Sequence, residues 1–151
     1  MLDRTYEGQQ CSIARTLELV GERWTLLILR DAFLGVRRFD DFQRSLGIAR
    51  NVLTERLARL VEEGILERRP YQERPERFEY RLTAKGRELW PVLFSLATWG
   101  DRHVAPDGPP RLFRHRGCGG RVTDRRTCAR CGAELDVREV EVREGPGLRA
   151  A

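Results

Sequence analysis

Two short strings carry the chemistry available to this sequence. His115-Arg-Gly-Cys118-Gly and Cys128-Ala-Arg-Cys131-Gly each set two metal-suited side chains three residues apart. Turns of this kind aim two ligands at one tetrahedral ion, and the glycine allows the backbone to come close. A structural zinc is the expected occupant, with His115 the least secure of the four ligands. Two other readings stay open: reduced thiols in a metal-free β segment, or Cys128 and Cys131 as a thiol–disulfide pair. The latter finds no βαβ pattern around it. No histidine or acidic base stands ready to give an open metal position a reaction to run, so no enzymatic activity is expected.

A tetrahedral site needs a frame, and the composition around it is thin. Residues 111–151 hold three of the four cysteines and few large apolar groups. A segment of about 40 residues rarely folds on apolar burial alone, so a metal would supply folding energy directly. Ahead of it, Pro106-Asp-Gly-Pro-Pro110 reads as a linker (106–110) that uncouples this small β extension from the rest. The rest is a flexible polar lead (1–10) and a domain at 11–105, which holds all three tryptophans.

Within 11–105 the apolar spacing is mainly helical. Ile13, Leu17 and Val20 form one stripe ending at Gly21, and Trp24–Leu34 reads as a central buried helix. Asp40 is placed to cap a short helix carrying Phe42 and Leu46. After Gly47, the Ala49–Glu63 helix turns Leu53, Leu57 and Leu60 inward. Two strand-like runs, Ile65–Tyr71 and Phe78–Leu82, flank a Glu73-Arg-Pro-Glu76 turn. Thr83 then caps a long helix, Ala84–Val104, with stripes Leu89-Leu93-Leu96 and Trp90-Phe94-Ala97. One stripe can face the core and the other a second subunit. Pro91 should kink this helix or mark a restart.

Helix, glycine turn, helix and hairpin is the order of a winged helix-turn-helix, so the expected fold class is mostly α (α+β) with a small β-rich extension. In that arrangement the second helix enters a major groove about 12 Å wide. A step of about 100° per residue puts Asn51, Glu55 and Ala58 opposite Leu53, flanked by Thr54 and Arg59, with Arg50 in the first turn. Asn suits adenine, Glu can accept from cytosine, and Arg reads guanine or phosphate. Arg68, Arg69, Arg74, Arg77 and Arg81 give the hairpin its charge, the first four being the candidate DNA contacts. Residues 38–81 nevertheless balance 10 Arg against 9 Asp or Glu, so solvated faces of an ordinary helical domain remain an alternative.

The residues also resemble a family. CSIARTLELVGERWTLLILRDAF, RRFDDFQRSLGI, NVLTERLARLVEEGILERR, FEYRLTAKGREL and PVLFSLATWGDRH are similar to the HxlR-type winged-helix transcriptional regulators, themselves related to the MarR group. The resemblance spans Cys11 to His103. It implies a homodimer joined through the first and last helices, with operator DNA held by the helix around Asn51–Leu57. It also implies that Cys11, at a helix start where thiol pKa values fall, can be a redox switch. An inert thiol is the other reading. Many relatives carry Ser-Pro where this chain has Ala49-Arg50, so fine specificity does not transfer.

Charge and cysteine use complete the expectation. The chain carries 28 basic and 23 acidic residues, a net charge of +5. No apolar run approaches the roughly 20 residues of a membrane span. Reduced, metal-suited cysteines fit the cytoplasm. The reading is a homodimeric DNA-binding regulator, a repressor, whose partners are a double-stranded operator and a small-molecule or redox effector. Its rivals are a protein-interaction module that has lost DNA binding and a Cys128-x-x-Cys131 redox protein.

Overall fold

A computed structural model describes Thr5, Tyr6 and residues 8–149. Residues 1–4 and 7 of the expected lead lie outside the described residues. By backbone contact the chain divides into two compact units, 1–87 and 88–151.

The first unit runs α1 (Ser12–Val20), α2 (Thr25–Phe33), α3 (Phe39–Leu46), α4 (Arg50–Glu62), β1 (Leu66–Glu73), β2 (Glu76–Leu82) and α5 (Ala84–Arg87). Ile28, Leu29, Phe42, Leu53, Leu57 and Leu60 are each no more than 1% exposed and form its centre. Burial of side chains this size stabilises by roughly 1.5–3 kcal/mol each. β1 and β2 pair antiparallel from Leu66↔Leu82 to Glu73↔Glu76, with an irregularity between Pro70 and Gln72. The chain before α3 adds a third rung, Arg38 bridging Glu79, and the Tyr80 amide donates to the Arg37 carbonyl at 2.6 Å. That rung ties the hairpin to the helices and gives the wing a fixed root.

Two expectations are corrected here. Asp40 does not cap α3; the helix starts two residues earlier than that cap would place it, at Phe39, with extended Arg38 at its N-cap. Asp40 and Asp41 instead lie in the first turn, where carboxylates meet the positive end of the helix dipole. The long helix expected over 84–104 is also two helices, the second being α6 (Trp90–His103). Pro91 sits in the first turn of α6, where an amide hydrogen has no intrahelical partner to lose. Thr83 does cap α5: its hydroxyl accepts from the Gly86 amide at 3.0 Å.

The second unit holds α6, β3 (Arg111–His115), a 3-10 turn (Val137–Glu139) and β4 (Val140–Glu144). β3 and β4 pair antiparallel, Arg111↔Glu144 through His115↔Val140. Single bridges, Arg114↔Arg121, Val122↔Cys128 and Thr127↔Glu134, extend this into a ribbon. Among the described residues its buried aliphatic groups are Val122, Leu135 and Val140. Phe113 meets Phe94 of α6 edge to face, centroids 5.0 Å apart.

On α6, Trp90 and Phe94 are buried, as one of the expected stripes required. The outward stripe is Val92, Leu96 and Trp99 rather than Leu89-Leu93-Leu96, because the restart makes Leu89 the N-cap and leaves Leu93 half-buried. Nor is 106–110 a free connector. Proline lacks a donor but its carbonyl still accepts: Gly145 donates to Pro110 at 2.9 Å and Gly147 to Pro109 at 3.2 Å. Asp107 accepts from Arg149 as well.

Candidate nucleic-acid interface and metal centre

α4 is oriented by its own apolar spacing. With Leu53, Leu57 and Leu60 buried, Asn51, Thr54, Glu55 and Ala58 are exposed along the opposite side. The left-handed turn at Gly47 (φ 63°) ends α3 and redirects the chain into α4. An ion pair missed by sequence reasoning fixes α4 from behind. Arg56 Nε lies 2.8 Å from Glu22 Oε2, which also accepts from the Trp24 amide at 2.9 Å and the Thr25 hydroxyl at 3.2 Å. The sequence signal was an acid between the Gly21 turn and an apolar helix.

The exposed side chains along this side of α4 differ in how committed they are. Thr54 spends its hydroxyl on the Arg50 carbonyl at 2.8 Å. Arg50 is 3.6 Å from Asp40 and lies over the Phe39 ring at 4.6 Å. Arg59 pairs with Glu63 at 3.0 Å and Glu55 with Arg56 at 3.4 Å. Asn51 makes no side-chain hydrogen bond among the described residues, so its amide is free to meet a base edge.

The wing divides similarly. Arg68 covers the Phe78 ring at 3.6 Å, and Arg69 pairs with Glu67 at 2.6 Å. Both are tied to the hairpin itself. Arg74 and Arg77 flank the tip, exposed, and neither has an ion-pair partner among the described residues. Glu73 and Glu76 share the exposed tip with them and are likewise without an ion-pair partner among the described residues, so the tip is densely charged and balanced in sign, with its arginines held by no single carboxylate.

In the second unit the four expected ligand residues come together. Their ligating atoms all lie within 4.8 Å of one another. Cys118 Sγ is 3.3 Å from His115 Nδ1 and 3.4 Å from Cys128 Sγ, and Cys131 Sγ is 3.4 Å from His115 Nδ1. Zinc–sulfur bonds near 2.3 Å set tetrahedral sulfur–sulfur edges at about 3.8 Å, which lies between these short contacts and the 4.8 Å limit of the cluster.

Two matching turns produce this geometry. Gly119 donates to the His115 carbonyl at 2.7 Å, and Gly132 to the Cys128 carbonyl at 2.9 Å. Gly119 (φ 73°) and Gly132 (φ 75°) are left-handed, which a side chain would strain. At Gly120 a Cβ would sit 2.4 Å from Cys128 Sγ, so that position must also be bare.

The turns also set the acidity of the thiols. Cys128 is lowered to about 6, chiefly by the Cys131 backbone amide and further by that of Arg130, with burial opposing. At Cys118 the Gly120 amide pulls downward, yet the Cys128 side chain and burial leave the thiol raised. One thiol of the cluster is thus pushed toward the thiolate at neutral pH, and its neighbour is pushed toward the protonated form. The ligand cluster is complete without Cys11, which stands exposed at the N-cap of α1.

The first unit from α2 to α5, with its wing, falls within a match to the HxlR-like helix-turn-helix family model, over residues 19–108. The chain belongs to that family. An HTH-type transcriptional regulator of Mycobacterium tuberculosis is 50% identical over 99% of this chain and 94% of its own length. The crystal structure of PA1607, assigned as a transcription factor, aligns with a TM-score of 0.71 at 39% identity, covering 91% of this chain and 97% of that one. The reduced form of the redox regulator HypR aligns at 0.58 with 32% identity, over 62% of this chain and 96% of that one. The HxlR-like portion here departs from the Ser-Pro start as expected: Ala49 at the N-cap of α4 makes no side-chain cap. Among the described residues no helix is long and apolar enough to cross a membrane.

Proposed function

We propose that this HxlR-like protein is a cytoplasmic DNA-binding transcriptional regulator, a homodimeric repressor, carrying an annex folded around one structural zinc. The carrying observation is the outer face of α4, where Asn51 makes no side-chain hydrogen bond among the described residues, together with Arg74 and Arg77 at the wing tip, both exposed and in no ion pair among those residues. Asn51 would choose a base, and the wing arginines would hold phosphate. Arg50, Thr54, Glu55 and Arg59 would frame the groove, while Arg68 and Arg69 stiffen the hairpin.

Dimerisation is supported by unpartnered apolar groups on two helices. Ile13 is 72% exposed on α1, and Leu96 and Trp99 are 52% and 59% exposed on α6. Isolated exposed apolar residues are ordinary, but stripes at helical spacing mark interfaces. Cys11, exposed at the head of α1, is the proposed redox switch. Zinc is supported by the donor set, three sulfurs and one imidazole nitrogen at near-tetrahedral spacing. His115, Cys118, Cys128 and Cys131 would hold it, and the ion would supply folding energy to a ribbon with a small apolar core.

Selection of bound duplexes from a random pool tests the reading. Enrichment of a two-half-site sequence, with half-sites about 34 Å apart, is the expected result. A pool that emerges unenriched would favour the protein-interaction reading, which the exposed Glu55 on α4 suits.

A further inference from the structure

The most basic stretch of this protein is not its winged domain. Residues 111–131 contain seven arginines and one acid, Asp124. That acid is already paired with Arg102 at 2.6 Å. Residues 132–149 reverse the balance, with three arginines against five acids. The ribbon is therefore polarised, basic along the ligand turns and acidic toward β4.

One contact within it is costly as it stands. Arg114 and Arg121 face each other across an antiparallel bridge. Like charges placed directly opposite in a ladder repel. Neither has an ion-pair partner among the described residues, although Glu141 sits opposite Arg114 in the β3–β4 register. Glu141 pairs instead with Arg143. Arg116 and Arg125 are exposed nearby in sequence and likewise unpaired among the described residues. Arg130 donates to the Cys118 carbonyl at 2.7 Å, which braces the ligand turn while leaving the residue exposed.

The alternation of β3 decides which way the pair points. Phe113 and His115 share the side that meets Phe94 and the ligand cluster, so Arg114 projects from the other side. Half-buried Arg114 and exposed Arg121 start from paired positions on one strand face, and their guanidiniums can both donate to an anion with spaced oxygens, for which arginine's planar fork is suited. A polyanion relieves the repulsion at several arginines together, and a chain that reads duplex DNA has one at hand. We infer that the face carrying Arg114 and Arg121, with Arg116 exposed just past the end of β3, is a second duplex-DNA contact, gripping phosphate without reading sequence. This inference rests on the proposed DNA-binding function.

The test uses the full-length dimer loaded with zinc and a duplex selected from a random pool. Replacing Arg114, Arg116 and Arg121 together by Gln should flatten the plot of log affinity against log salt by about 2–3 units, since each lost phosphate contact removes about 0.9. The ratio of selected to unrelated duplex affinity should stay the same. Arg121→Lys, which keeps the charge, should retain most of the slope. Zinc content is measured alongside, and the triple variant should hold its full complement. An unchanged slope in a zinc-replete triple variant overturns the inference, as does a loss confined to the selected sequence. Binding of the ribbon face to single-stranded RNA, with duplex DNA unaffected by the triple change, also overturns it. Arg74→Gln with Arg77→Gln is the control for the underlying reading: if that wing variant changes the slope and the ribbon variant does not, only the second contact fails. If no duplex is bound at all, the DNA-binding reading itself fails.

Discussion

Arg102, in the last turn of α6, holds Asp124 of the ribbon at 2.6 Å. The bond, chiefly a hydrogen bond from Arg102, keeps the Asp124 carboxyl below its ordinary value of 3.8. A lowered acid contributes stability above its unfolded pKa and loses it as pH falls through the folded one. Wild type should therefore melt higher than Arg102→Gln at pH 7, with the gap closing below about pH 4. Thiolates protonate over part of the same range, but equally in both proteins, so the difference between them isolates the pair. Both side chains are well exposed, so high salt should shrink the gap too. A gap that widens in acid would contradict the assignment.

The proline run suggested that the annex could unfold alone. Contacts of Phe94 with Phe113 and of Arg102 with Asp124 place α6 and the ribbon in one unit instead. Cys128→Ser should abolish metal binding and also loosen α6, raising the dimer dissociation constant at least tenfold. Sedimentation with and without chelator checks this. Cys11→Ser should leave metal content unchanged. Metal-free protein that dimerises as tightly as wild type would show the units to be uncoupled.

Metal binding should release fewer protons than there are thiols. Cys128, lowered to about 6 mainly by the Cys131 amide, is already ionised at pH 7, whereas Cys118 is raised and must give up its proton. Calorimetry at pH 7 in buffers of different ionisation enthalpy should report fewer than three protons per zinc. At pH 5.5, below the Cys128 value, the count should be higher. Chelator-driven release should accelerate over the same descent, because protons then compete for sulfur. A count that is constant with pH would remove Cys128 from the ligand set.

The apolar stripe of α6 makes a separate demand. Leu96→Glu or Trp99→Glu places a charge in the proposed interface without touching the buried Trp90 and Phe94. Each should yield a folded monomer at micromolar concentration, with far-ultraviolet helicity retained and operator affinity reduced at least a hundredfold. A stable dimer from either variant would move the interface elsewhere.

Much of this was legible in the residues, for reasons that differ by element. The inward face of α4 follows from Leu53, Leu57 and Leu60, because a 3.6-residue period with one buried side admits a single rotation. Pairing His115 with the three cysteines was legible because two like turns, each ending in glycine, can converge on one centre. Boundaries were harder. Asp40 looked like a cap because caps and first-turn acids use the same residue types, and only the extended conformation of Arg38 separates them. Pro91 permitted either kink or restart. The partners of Pro109 and Pro110 lay more than thirty residues away, at Gly147 and Gly145, beyond any local pattern. Charge counting also could not sort the wing arginines, since pairing within the hairpin decides which of them a carboxylate holds.

Asn51, Arg74 and Arg77 should separate base choice from grip. Asn51 lies on the open side of α4 with its amide uncommitted, so Asn51→Ala should cost about 1–3 kcal/mol at the selected duplex and almost nothing at unrelated ones. Arg74→Ala and Arg77→Ala should weaken both duplexes alike, each reducing the salt slope by about 0.9. Arg69→Ala, by contrast, removes a side chain already neutralised by Glu67 at 2.6 Å, and should change the slope less than either tip arginine. Fluorescence anisotropy across a salt series measures all four variants. Equal losses from Asn51→Ala on selected and unrelated duplexes would mean that this face of α4 does not lie in the groove. A larger slope change at Arg69 than at Arg74 would mean that the wing meets DNA along its flank, with its tip in solvent.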